Sequence, residues 1–210
     1  MERPIMGTQQ DFFNEHLSKT PIIAILRGFS AERAVKLAEE AWNSGIGLVE
    51  VPIQDESGRI ALNAVASRAN DLGRQVGAGT VLKADDVNFA HSIGCSFTVA
   101  PGFDPQVVER ATSLNVYHLP GVATATEVSN AQSLGLIWQK AFPARKLGVG
   151  WISSMQGPFP AVKFIATGGI DVSNLSTFLD GGAHALGIGS AFNDPQILSA
   201  IRNHERNSRQ

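Results

Sequence analysis

At 210 residues, 43% hydrophobic and 17% charged, the chain has the profile of one ordinary globular domain rather than a disordered protein. A net charge of −2 with no basic block excludes a nucleic-acid footprint, and no window approaches a membrane span. The single cysteine, Cys95, excludes an internal disulfide framework, and with no apolar signal core in MERPIMGTQQ the expectation is a cytoplasmic protein without a membrane partner.

Residues 1–20 read as an N-terminal extension or helix ahead of the first strand. Strand-like runs then recur every 20–30 residues: PIIAILRG from Pro21, GLVEVPI from Gly47, QVGAGTV from Gln75 and CSFTVAPG from Cys95. VYHLP from Val116, LIWQKAF from Leu136, AVKFIATGG from Ala161 and AHALGIGS from Ala183 complete the set. Each is short and almost continuously apolar, as strands covered on both faces are.

Helical patterns with start signals lie between the strands. Ser30 precedes AERAVKLAEEAW, Asp104-Pro105 opens QVVERATSL, and Thr124 with Glu127 has capping-box spacing. Asp171 or Ser173 begins SNLSTFLDGG, which a glycine pair ends. The remaining helix candidates are 57–70, 83–92, 147–156 and 194–204. Eight strands alternating with eight helices predict a single-domain α/β (β/α)₈ TIM barrel over residues 1–210. An open doubly wound sheet alternates in the same way, but no GxGxxG fingerprint follows the first strand.

Barrels of this kind carry their chemistry at the C-terminal ends of the strands. Lys140 stands in the apolar run LIWQKAFP, where an ammonium is costly and a free amine, able to attack a carbonyl and form a Schiff base, is favoured. Lys163 also lies in an apolar run, but near a strand start and so at the opposite face. Glu50, inside GLVEVPI, suits an acid/base partner for Lys140; a stabilising ion pair alone is a weak reason to bury both. Arg27, Thr80 and Pro101 close the first, third and fourth strands on the same rim. Arg27 can grip a carboxylate in bidentate fashion. The glycine turns ATGGI and GIGSAF follow the last two strands, where barrels of this kind bind phosphate through backbone N–H groups and a helix N-terminus. The five histidines have no metal-ligand spacing, and His118 reads as a satisfied core side chain.

PIIAILRG, LVEVPI, GAGTVLK, PGVATATE, KAFP, ATGGI and GIGS together resemble the class I aldolases that cleave 2-keto-3-deoxy-6-phospho sugar acids. The resemblance runs over nearly the whole chain. It implies a homotrimeric (β/α)₈ barrel, no metal or other cofactor, and cleavage of a phosphorylated sugar acid to pyruvate and D-glyceraldehyde 3-phosphate. Residue by residue, Lys140 matches the Schiff-base lysine and Glu50 the proton donor and acceptor. Arg27 and Thr80 match positions that hold the pyruvyl end, with Pro101 and Gln54 beside them. Thr167, Gly168, Gly169, Gly189 and Ser190 match the phosphate cradle.

Within the family, Arg27 in ILRG and Pro52 two residues after Glu50 match the galactonate type. Gln54 stands where that type has asparagine and the gluconate type has arginine. After the lysine, ARKLGVGWISSMQG departs from the family pattern, and Arg145 and Lys146 there bear on phosphate or on trimer contacts. Two other readings stay open: pyruvate-lyase chemistry on an unphosphorylated 4-hydroxy-2-keto acid or oxaloacetate, and a non-catalytic sugar-phosphate-binding barrel.

Overall fold

The computed structural model describes residues 8–189 together with Asp194, Gln196, Ile197, Ser199 and Ala200. In chain order its first elements are α1 (Gln9–Leu17), β1 (Ile22–Ile25), α2 (Ala31–Asn43), β2 (Leu48–Pro52), α3 (Glu56–Leu72) and β3 (Gln75–Gly79). Next come α4 (Ala84–Ser92), β4 (Phe97–Val99), α5 (Pro105–Ser113), β5 (Tyr117–Leu119), β6 (Gly121–Val122) and α6 (Ala125–Ser133). The last are β7 (Trp138–Ala141), α7 (Ala144–Leu147), α8 (Val149–Gln156), β8 (Lys163–Thr167), α9 (Leu175–Asp180) and β9 (Ala185–Ile188).

All strand pairs are parallel, in the order β5-β4-β3-β2-β1-β9-β8-β7-β6. The two ends of that order, β5 and β6, are consecutive in the chain and separated only by Pro120. They are two halves of one barrel strand: the lower half pairs with β4 and the upper half with β7, which closes a (β/α)₈ barrel. Proline has no N–H for the ladder, yet its carbonyl accepts from the Lys140 amide at 2.8 Å. The expected strand VYHLP is therefore longer than its apolar run, and broken.

Side chains alternate between the barrel interior and the shell of helices. Inside lie Ile23, Leu48, Phe97, Leu119, Trp138, Ile165 and Ala185, closed from below by Phe12, Phe13 and Leu17 of α1. The intervening residues, such as Ala24, Val49, Val51, Ala78, Phe164 and Leu186, pack outward against the helices. Interior space is tight: a Cβ on Gly77 would lie 2.5 Å from the Phe97 ring.

Below Pro120 the sheet has a seam between β5 and β7, and the Gln9 side chain fills it. Its amide donates to the carbonyls of His118 (3.1 Å) and Trp138 (2.8 Å) and accepts from the Trp138 N–H (3.1 Å). A side-chain amide thus takes the place of a peptide in the ladder. Lys163 lies on the same face, with Nζ donating to Asn14 at 2.7 Å and resting over the Trp138 ring, so it is a structural lysine as its position predicts.

The predicted helix starts at Ser30, Asp104 and Thr124 hold, and Thr124 with Glu127 forms a full capping box. Two expectations are corrected. The helix expected over 147–156 is two, α7 and α8, because Gly148 breaks the backbone at φ 80°. The helix after ATGGI starts behind Asn174, not Asp171 or Ser173, because Asp171 bonds the Ser173 N–H in a turn and Asn174 accepts from the Asp171 N–H. Most of the helix expected over 194–204 lies outside the described residues.

Gln9→Ala removes three buried hydrogen bonds at roughly 1 kcal/mol each and leaves their strand partners unsatisfied. Urea denaturation is expected to place the variant about 2–4 kcal/mol below the parent. A loss under about 0.5 kcal/mol would mean that Gln9 does not hold the seam.

Candidate functional site

The upper half of the barrel interior is where the alternation changes from apolar to polar. Continuing upward from the apolar layer, the inward positions are Ile25 and Arg27 on β1, Glu50 on β2, Lys140 and Phe142 on β7, and Thr167 on β8. A cavity of about 360 Å³ opens there, lined by Ile25, Arg27, Thr80, Pro101, Lys140, Phe142, Thr167, Gly168, Gly169, Ile170, Gly187 and Gly189. The structure therefore brings together Lys140, Arg27, Thr80, Pro101, Thr167, Gly168, Gly169 and Gly189 as the sequence predicts. Glu50 lies directly behind this wall, Gln54 is reached through Arg27, and Ser190 lies outside the described residues.

Lys140 is 4% exposed and Glu50 1%. The Lys140 Nζ sits 5.1 Å from the centroid of the Phe142 ring, which covers one side of it. Glu50 is held by space left on the neighbouring strand: a Cβ on Gly79 would collide with its carboxylate. Oε1 of Glu50 has no hydrogen-bond partner among the described residues. Burial pushes the Glu50 carboxyl above the usual carboxylate range, and the positive charges of Lys140 and then Arg27 oppose that shift. A proton-holding carboxyl that still senses a nearby amine is the property a proton shuttle needs.

Arg27 is aimed by two side chains. Its guanidinium donates to Oε1 of Gln54 at 2.9 Å and to the Thr80 hydroxyl at 3.2 Å. Thr80 adopts φ 58°, a left-handed conformation that is costly for a β-branched residue. The strain coincides with the point where its hydroxyl meets Arg27. Neither acceptor neutralises the guanidinium, which keeps its charge for an anionic group in the cavity.

The opposite end of the cavity is the glycine turn. Gly168 and Gly169 take φ 100° and 78°, which strongly favours glycine. Among the described residues no acceptor faces their N–H groups, which form a concave donor pair suited to an anion. Asn174 ties the turn down by donating to the Gly169 carbonyl at 2.8 Å. No helix N-terminus meets the turn, since α9 begins only at Leu175; that part of the phosphate expectation is corrected. Gly187 makes room for Thr167, whose hydroxyl occupies the place of a Cβ there.

Sequence reasoning missed Phe142, Gly79 and Gly187. Phe142 was recoverable, because it shares the inward parity of Lys140 on the same strand. Gly79 and Gly187 matter through the side chain each admits from the next strand, and that requires the register. Among the described residues no group of three His, Cys, Asp or Glu side chains is placed to hold a metal ion, and no helix is long and apolar enough to cross a membrane.

The comparisons with known proteins agree with this geometry. Residues 13–206 match the family model for KDPG and KHG aldolase. The chain belongs to the KDPG and KHG aldolase family. Among curated relatives, 2-dehydro-3-deoxy-6-phosphogalactonate aldolase of Escherichia coli is 32% identical over 82% of this chain and 84% of its own. The 2-dehydro-3-deoxy-phosphogluconate aldolase of Treponema pallidum is 34% identical over 79% of this chain and 78% of its own. A solved structure described as native KDPGal superposes with a TM-score of 0.81 at 29% identity, over 91% of this chain and 97% of the other. The KDPG aldolase of Legionella pneumophila, with pyruvate captured as a covalent carbinolamine, gives 0.76 at 28% identity over 88% of both chains. The family's members are aldolases, which are carbon–carbon lyases.

The Glu50 shift gives a pH prediction. A carboxyl whose folded pKa is raised binds its proton more tightly in the native state, so its contribution to stability falls as pH rises from the unfolded value toward the folded one. Stability of the parent relative to Glu50→Gln is therefore expected to fall as pH rises from about 5 to 8, read as urea midpoints of both proteins. A pH-independent difference would mean that Glu50 does not titrate abnormally.

Proposed function

We propose that the chain is a Schiff-base aldolase that cleaves 2-dehydro-3-deoxy-6-phosphogalactonate to pyruvate and D-glyceraldehyde 3-phosphate. The observation that carries the reading is a buried amine, Lys140, in the wall of a cavity that has a guanidinium at one end and a glycine donor turn at the other. A substrate with a carboxylate at one terminus, a ketone beside it and a phosphate at the far end matches that order of groups.

In this mechanism the neutral amine of Lys140 attacks the C2 ketone to form a carbinolamine, and loss of water gives the protonated imine. Glu50 supplies and recovers protons in these steps, through a water. The C3–C4 bond then breaks, with its electron pair drawn into the iminium to form an enamine, while the C4 hydroxyl gives up its proton to Glu50 or to the water it holds. D-Glyceraldehyde 3-phosphate leaves, C3 is protonated, and hydrolysis of the imine releases pyruvate. Arg27 and Thr80 hold the C1 carboxylate, with Pro101 and Gln54 shaping that end. Thr167, Gly168, Gly169 and Gly189, with Ser190, hold the phosphate, and this remote binding contributes to the rate by fixing the reacting bond.

Two observations favour the galactonate acid, namely the Arg27–Gln54 hydrogen bond without an arginine at position 54, and the galactonate relative's match to this chain. The gluconate epimer is the second reading, because a relative named for it is 34% identical. A homotrimer is proposed with the activity on the resemblance, and light scattering should give three times 22.3 kDa.

Incubation with pyruvate and borohydride is expected to fix a reduced pyruvyl adduct on Lys140, found by peptide mapping, and Lys140→Met should abolish both adduct and turnover. An unlabelled parent that still binds a sugar phosphate would replace the enzyme with a binding barrel. Glu50→Gln should slow turnover by about two to four orders of magnitude. Initial rates on the two C4 epimers decide between the substrates: a kcat/KM higher for the gluconate acid would overturn the galactonate assignment.

A further inference from the structure

Arg145 is a charged residue beside the glycine turn that the mechanism above leaves unused. It follows Pro143 in α7, and its own N–H donates to the Gly168 carbonyl at 3.0 Å, which fixes its backbone to that turn. Its aliphatic stem lies against Gly169: a Cβ there would be 2.8 Å from both Cβ and Cδ of Arg145. The stem is thus seated on a residue that lines the cavity.

Its head is held loosely. The nearest guanidinium nitrogen is 4.0 Å from Oδ2 of Asp171, beyond hydrogen-bond distance, and the side chain is 68% exposed. Asp171 makes its own hydrogen bonds through Oδ1, to Ser173. An exposed pair at this separation contributes little, so turning the guanidinium away from Asp171 costs little. The charge is needed at that end of the cavity. Lys140 and Arg27 serve the other end, whereas Thr167, Gly168, Gly169, Gly187 and Gly189 carry no charge. A guanidinium fork suits phosphate oxygens.

We propose that Arg145 is a specificity residue for the phosphate end of the substrate: its guanidinium turns from Asp171 onto a phosphate seated on the Gly168-Gly169 donors. The proposal rests on the assignment of that turn as the phosphate site. It makes the preference for phosphorylated substrate depend on a side chain outside the turn itself.

The test compares Arg145→Gln and Arg145→Lys with the parent on two substrates, the 6-phosphorylated keto-deoxy acid and unphosphorylated 4-hydroxy-2-oxoglutarate. Inorganic phosphate is added as a competitor of the first. For Arg145→Gln, KM for the phosphorylated acid should rise about ten- to hundredfold, and the rise should exceed any change for the unphosphorylated acid at least tenfold. Arg145→Lys should recover part of the loss, and the inhibition constant of phosphate should rise with KM. Equal losses on both substrates would make Arg145 a structural residue, and no loss on either would remove it from the site; both overturn the proposal. Phosphate inhibition of the parent separates the two levels. If phosphate competes equally well in parent and Arg145→Gln, only the role of Arg145 fails. If it does not compete in the parent, the glycine turn is not a phosphate site and both readings fall.

Discussion

Water is excluded from one carboxyl and one amine inside the barrel, and everything else about the site is arranged around that exclusion. Desolvation of an ionisable group costs more than its Coulombic partners return unless hydrogen bonds make up the difference. Here they do not: Glu50 has an oxygen without a partner, and burial outweighs the pull of Lys140 and Arg27 on its proton. The barrel tolerates this because the layer beneath is filled with apolar side chains from alternate strands and sealed by α1. A site that holds a proton ready for transfer is thus supported by a floor whose only task is packing.

The division of labour within the cavity follows from side-chain parity. Parallel strands send every second residue inward, so the chemistry available to the site is limited to one residue per strand per layer. Glycine at Gly79 and Gly187 lets a neighbour lean across a strand, and this is how a carboxylate and a threonine fit where the register alone leaves no room. Positive charge is divided as well. Arg27 is oriented by two neutral oxygens at one end, and the donors at the other end are backbone amides.

Much of this was legible before any coordinates. The apolar runs locate all eight barrel strands, and a lysine and a glutamate inside such runs point to the site because burying a charge needs a reason. Capping residues at Ser30, Asp104 and Thr124 are local signals, and local signals survive folding. What failed to read was non-local. The break at Pro120 is visible as a proline but not as the closure of a barrel, which depends on which strands flank each half. The true start of α9 is set by a contest among Asp171, Ser173 and Asn174 for the same amides, and all three are plausible caps. Gln9 looks like any polar helix residue, and its role exists only because β7 arrives beside it.

The seam that Gln9 fills also constrains the order in which the molecule can be assembled. Its partners lie 109 and 129 residues downstream, so α1 is among the first segments to leave a ribosome and among the last able to engage its strands. Until Trp138 emerges, a helix with three apolar residues and an unsatisfied amide must wait without its dock. Contacts of such long sequence separation form late and slow the approach to the native state. The barrel's last closure in time is therefore at its floor, on the side away from the chemistry, where a delayed fit leaves the geometry of Lys140 and Glu50 to be set by strands that pair with their immediate neighbours.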